Sequence, residues 1–164
     1  MNHYLNAKIF TVNLNFLFDD KLKDRIIEKL SEFTLRKNIM TFQAENVPIL
    51  HQRNLENLTR SGLLKNIRNL KLPGNNLGNL GASFIFSCEN LRHIKKIDLS
   101  SNNIDLEGAR YISNNNKLSY LEVIDLRLNK IGDEGFKELI KSEKLSKIRD
   151  LRLDMNKITF NGTV

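Results

Sequence analysis

A curved α/β solenoid, in which each turn contributes one short strand and one helix, is the fold class this 164-residue chain predicts. Three observations carry it. Four stretches share one skeleton of apolar positions at an unbroken spacing of 27 residues, each skeleton holds an asparagine at the same place, and a glycine follows each at a constant offset. A period of that length describes a unit too small to fold alone, which buries its apolar face by stacking on its neighbours.

The skeletons are Ile67, Leu70, Leu72, Asn75, Leu77; then Ile94, Ile97, Leu99, Asn102, Ile104; then Leu121, Ile124, Leu126, Asn129, Ile131; and Ile148, Leu151, Leu153, Asn156, Ile158. Two apolar residues separated by one other predict a strand with alternate side chains facing inward. The asparagine ends that strand. A buried carboxamide both donates and accepts, so Asn75, Asn102, Asn129 and Asn156 are expected to form a structural ladder between turns. Gly81, Gly108, Gly135 and Gly162 are expected to close a loop and open a helix. Helical spacing follows at Ala82, Ile85 and Phe86, at Ala109 and Ile112, and at Phe136, Leu139 and Ile140. Leu91, Leu118 and Leu145 anchor the return to the next strand. Asp133 and Glu134 at the start of the third helix, with Lys141 and Lys144 near its end, suit the helix dipole.

Strand, loop and helix within 27 residues resemble the ribonuclease-inhibitor-like class of leucine-rich repeats, most clearly over Asn129-Lys130-Ile131-Gly132-Asp133-Glu134-Gly135-Phe136. The resemblance covers residues 67–164. It implies a leucine-rich repeat solenoid with parallel strands on the concave face, helices on the convex face, and a role in binding other proteins.

Before residue 67 the pattern fades. Ile39, Phe42, Ala44, Val47 and Ile49 lie on the same skeleton, with Val47 at the ladder position, so residues 39–66 read as a degenerate repeat with a helix over 54–64. Residues 1–38 read as an N-terminal cap. Its strand is marked by Ile9, Val12, Leu14 and Phe16, and its amphipathic helix by Leu22, Ile26, Ile27, Leu30 and Phe33, with Asp19 or Asp20 as cap. The last repeat is cut short after Gly162. That end predicts edge-to-edge association of copies through the strand around Leu151 to Leu153.

The net charge of +7 raises nucleic acid as a partner, so its location matters. Residues 1–66 hold 10 basic and 7 acidic side chains, residues 67–97 hold 5 and 1, and residues 98–164 hold 11 and 11. A groove that tracks phosphates should be basic along its length, and the most regular repeats are balanced. The basic excess therefore reads as side chains that solvate a surface. A nucleic-acid alternative would use Arg68, Lys71, Arg92, Lys95 and Lys96. Cys88, the one cysteine, implies no disulfide framework and a reducing compartment. The sequence shows neither a secretory signal peptide nor an apolar run of the roughly 20 residues that span a bilayer. A cytoplasmic protein, or one delivered into a host cell, is expected. Heavy use of asparagine, lysine and isoleucine, together with the repeat type, resembles effectors of intracellular bacterial pathogens.

Residues between the buried leucines point from the concave face. They are Asn69, Lys71 and Pro73; Lys96, Asp98 and Ser100; Val123, Asp125 and Arg127; and Asp150, Arg152 and Asp154. Arg127 and Arg152 are the best anchors for a partner carboxylate. The alternative is an exposed ion-pair ladder in which Arg127 meets Asp98 or Asp154, and Arg152 meets Asp125. A second surface on the helix side would use Tyr111, Tyr120, Lys117, Lys144 and Lys147, with Phe84 and Phe136 assigned to the core.

No catalytic constellation is expected. There is no H-E-x-x-H, G-x-S-x-G or G-x-x-x-x-G-K-[ST], and His3, His51 and His93 are far apart. Cys88 and His93 supply too few ligands for zinc, so no metal or other cofactor is expected. Some bacterial leucine-rich repeat effectors carry a cysteine-based ubiquitin ligase domain, but Cys88 lies inside a repeat and reads as structural. The Leu-Pro opening and tryptophan of an F-box are missing.

Overall fold

The computed structural model describes residues 11–13, 40–46, 52–60 and 62–159. Six three-residue strands form one parallel sheet in chain order: β1 (Thr11–Asn13), β2 (Thr41–Gln43), β3 (Asn69–Lys71), β4 (Lys96–Asp98), β5 (Val123–Asp125) and β6 (Asp150–Arg152). Consecutive parallel strands need a crossover. Here the crossovers after β2 to β5 carry α1 (Gln52–Arg60), α2 (Gly78–Ser87), α3 (Leu106–Ser113) and α4 (Gly132–Ile140). Short 3₁₀ turns at Gly62–Asn66, Glu89–Leu91 and Glu143–Leu145 lead three of those helices back towards the sheet. The cap helix assigned to residues 19–33, and Val47, Ile49 and Gly162, lie outside the described residues.

The register puts Phe42, Leu70, Ile97, Ile124 and Leu151 side by side at the strand centres. All but Leu151 are buried, and Leu72, Leu99 and Leu126 form a second fully buried row two residues on. Ile67, Ile94, Ile104, Ile112, Leu91 and Leu118 close the core from the helix side.

The asparagines sit inside the turns that follow the strands. Asn102 Oδ1 accepts from the Asn75 and Leu77 N–H groups at 3.0 and 3.2 Å, while its Nδ2 donates to the Leu72 and Ser100 carbonyls at 2.7 and 3.0 Å. Asn129 repeats the arrangement one turn later, accepting from Asn102 and Ile104 N–H and donating to Leu99, Leu126 and Arg127. Asn156 donates to Leu126 O at 2.7 Å and accepts from Ile131 N–H. Each carboxamide thus satisfies buried backbone groups of its own turn and the one before.

The glycines differ from expectation. Gly81, Gly108 and Gly135 do not precede the helices but lie buried within their first turns, α2 and α4 starting three residues earlier and α3 two. A Cβ at Gly108 would stand 2.3 Å from Ile104 Cγ2, and one at Gly81 only 2.4 Å from Leu77 Cβ. The repeated glycine lets the helix lie against the last apolar residue of its own skeleton. Further differences lie in the helices, although Phe84 still packs against the core. The helix expected over 54–64 is split into α1 and a 3₁₀ turn, Phe84 and Phe136 are only half-buried, and Ile140 is 56% exposed.

Candidate functional site

The concave face is built by the residues flanking each buried strand centre. One row runs Thr41, Asn69, Lys96, Val123, Asp150, and the other Gln43, Lys71, Asp98, Asp125, Arg152. Thr41 and Gln43 extend these rows into the degenerate repeat, flanking Phe42 of its skeleton. Asn69 Nδ2 donates to Thr41 Oγ1 at 3.0 Å, tying the degenerate turn to the first regular one.

Asp125 departs from its expected role. It is 3% exposed, and its carboxylate is held by Arg127 of the same turn through Nε (2.9 and 3.0 Å) and Nη2 (2.6 Å), with the Arg127 N–H at 3.1 Å. Arg127 therefore pairs within its own turn rather than with Asp98 or Asp154 across turns. The expected contact between Arg152 and Asp125 is present at 3.7 Å, but Arg152 makes its shorter bonds, 2.9 and 2.7 Å, to Asp150. The reason is geometric. Arg127, in the turn after β5, and Arg152, at the end of β6, each follow a carboxylate of their own turn by two residues, Asp125 or Asp150, and meet it without crossing the gap between strands. Asp98 follows the same rule, accepting from Ser100 N–H and Oγ at 3.0 and 2.7 Å.

Burial raises the Asp125 carboxyl, but the Arg127 hydrogen bonds and the charges of Arg127 and Arg152 outweigh it and hold it below its ordinary value. A carboxyl with a depressed folded-state value contributes stability that is present above the unfolded value, about 3.9, and is lost as pH falls through the folded one. Wild type should therefore lose stability below about pH 4, whereas Asp125→Asn should be less stable at neutral pH and flatter in that window. Urea unfolding between neutral and acid pH checks this; parallel profiles for the two proteins would contradict it.

The remaining cations separate into two kinds. Arg68 folds back on the carbonyls of Asn66 and Ile67, Lys95 pairs with Glu122 at 3.7 Å, and Arg92 Nε donates to His93 Nε2 at 3.2 Å. Lys71 and Lys96 are exposed and make no ion pair with any described residue. The basic segment thus leaves two adjacent lysines on the sheet, not a continuous phosphate track. On the helix side Lys117 pairs with Glu89, while Lys144 and Lys147 donate to carbonyls of the preceding turn. His93 is half-buried with its ring 5.9 Å from that of Tyr120.

Cys88 is buried, and its thiol donates to the Thr59 carbonyl at 3.2 Å. Burial pushes its pKa up, which disfavours the thiolate a nucleophile needs. Among the described residues no group of three or more His, Cys, Asp or Glu side chains is placed to hold a metal, and no helix is long and apolar enough to cross a membrane.

Residues 90–113 and 117–139 match the sequence profile described as Leucine Rich repeat. No curated protein sequence matches the chain. Among solved structures, the tropomodulin C-terminal domain of Caenorhabditis elegans superposes with a TM-score of 0.66 at 12% identity, over 85% of this chain and 86% of that one. Leiomodin-1 actin-binding site 2 superposes with a TM-score of 0.60 at 16% identity, over 79% and 78%. At these identities the similarity establishes the fold, an α/β leucine-rich repeat solenoid.

Proposed function

We propose that this chain is a non-catalytic protein-binding module that presents its concave strand face to a protein partner. The observation that carries the reading is the preformed sheet surface. Its polar side chains stand on strands fixed by the buried asparagine ladder, and Lys71 and Lys96 make no ion pair there with any described residue while Arg127 and Arg152 are held in place by Asp125 and Asp150. Such a surface recognises by shape and charge, with little ordering cost on binding. The 27-residue period with helical crossovers supports the ribonuclease-inhibitor-like class. The composition rich in asparagine, lysine and isoleucine supports an effector whose partner is a host protein. A separate reading, self-assembly through β6, rests on that strand pairing on one side only among the described residues, and predicts a solution mass above the monomer. Binding to nucleic acid through Lys71 and Lys96 predicts heparin retention that falls steeply with salt.

The test compares wild type with the charge-reversed variant Lys71→Glu, Lys96→Glu, Arg152→Glu. Asp125 is left intact because a reversed charge there would be buried. Leiomodin-1's structure is described as an actin-binding site, so purified actin in co-sedimentation is the first defined partner to try, followed by capture from host-cell lysate. Retention by wild type and loss of at least roughly tenfold in affinity by the variant is the expected result, with the variant still folded although Arg152→Glu removes a cation from beside Asp125. Equal retention by both proteins would remove the concave face as the site.

A further inference from the structure

One position in every described turn has left-handed backbone: Asn46, Gly74, Ser101, Leu128 and Met155, with φ of 48°, 71°, 57°, 57° and 61°. The N–H of each of the first four donates across to the next turn, Asn46 to Pro73 O, Gly74 to Ser100 O, Ser101 to Arg127 O and Leu128 to Asp154 O, at 2.9 to 3.0 Å, and Met155 keeps the conformation without such a bond. A second left-handed column holds Asn76, Asn103 and Lys157. Glycine and asparagine adopt it readily, as at Gly74 and Asn46, whereas a leucine or methionine does so at a cost. That cost would be understandable if the side chains were buried, yet Leu128 is 54% and Met155 74% exposed. Two large apolar side chains therefore stand in adjacent turns, at a position that disfavours their backbone and where the fold makes little use of their surface.

Their surroundings are cationic. Lys130 and Lys157 stand two residues further along in the same turns, exposed and without an ion pair to any described residue, and Arg127 immediately precedes Leu128. The Arg127 charge is matched by Asp125, and Asp154 precedes Met155, so Lys130 and Lys157 are the cations of this set without an ion pair to a described residue. We propose that Leu128 and Met155 form the apolar anchor of a docking site for an acidic protein segment, one whose own apolar side chain seats on the pair while flanking carboxylates meet Lys130 and Lys157. This rests on the protein-binding reading above and moves its energetic centre from the sheet to the rim where the strands end. Strained backbone clusters at ligand-contacting positions, and here it coincides with two large exposed apolar side chains in neighbouring turns.

Panning a randomised peptide library on the immobilised protein tests it, followed by fluorescence anisotropy with the synthetic consensus peptide. The expected consensus places Leu, Ile, Met or Phe among Asp and Glu. Its affinity should fall at least roughly tenfold for Leu128→Asn with Met155→Asn, and for Lys130→Glu with Lys157→Glu, but less than roughly threefold for the Lys71, Lys96 and Arg152 reversal. The asparagine variant should melt no lower than wild type, because asparagine tolerates the left-handed backbone. A clear drop in its melting temperature would instead make the two side chains structural and overturn the proposal. So would a consensus without acidic residues, no enrichment, or affinity unchanged in the asparagine variant. Wild-type dimers dispersed by that variant would mean a second copy occupies the site, which also overturns it. If binding is lost in the sheet reversal alone, the docking site falls while the concave-face reading stands; loss in the rim variants alone gives the opposite result.

Discussion

Replacing Asn102 by alanine should destabilise the fold by about 2 to 6 kcal/mol, because two buried backbone donors lose their acceptor at about 1 to 3 kcal/mol each. Those donors are the N–H groups of Asn75 and Leu77, and the carbonyls of Leu72 and Ser100 lose a donor at the same time. Asn102 is fully buried, so water cannot replace the carboxamide without opening the turn. A total stability of about 5 to 15 kcal/mol is usual for a domain, which makes this one substitution a large fraction of it. Asn103 supplies the control. It is the same residue type one position on, exposed, and bonded only side chain to side chain with Asn76 at 2.6 Å. Asn103 has left-handed backbone (φ 57°), so glycine rather than alanine is the matched replacement, and Asn103→Gly should cost no more than about 1 kcal/mol. Urea unfolding of the two variants decides the matter; similar midpoints would mean the ladder does not hold the turns together.

Leu126→Ala should cost about 2 to 5 kcal/mol through lost burial and the cavity left behind. Leu126 is fully buried between two turns, its N–H donates to Arg152 O, and its carbonyl accepts from both Asn129 and Asn156. A cavity there lies under the backbone bonds that join the last two described turns. Solenoid stability is close to a sum of turn and interface contributions, so the loss should appear locally as faster amide exchange over residues 121–156, with β2 and β3 less affected. Leu153→Ala is the comparison. Leu153 occupies the same place one turn later but is half-buried, so its truncation should cost less. Equal melting of wild type and Leu126→Ala would contradict the cavity argument.

The concave site invites a different use of the same geometry. Asp125 looked in sequence like an outward-facing carboxylate at the centre of a mixed-charge column. Its burial under Arg127 and Arg152 makes it a positioning residue for two guanidinium groups, and leaves Lys71, Lys96 and the outer faces of those arginines as the exposed cations of the sheet face. Mutating Asp125 would disturb the sheet surface rather than remove a contact, which is why the reversal variant spares it.

Repeat length, strand positions and the identity of the buried rows follow from sequence alone, because an apolar skeleton at a fixed period allows few arrangements that bury every leucine. The asparagine positions were legible for the same reason: a polar residue recurring inside an apolar pattern must find partners there. Other features depended on distances between turns that no single repeat contains. The glycines lie inside the helices because the helix passes within van der Waals reach of Ile104 or Leu77, a closeness set by packing. Arg127 chose the carboxylate two residues away over those across the strand gap, a decision made by turn geometry. The left-handed backbone at Leu128 accompanies a bond to the next turn and recurs at Met155 without one, and nothing in either residue's type announces it. Periodicity thus determined the scaffold, and the spacing of stacked turns decided which side chains the scaffold uses up and which it leaves for a partner.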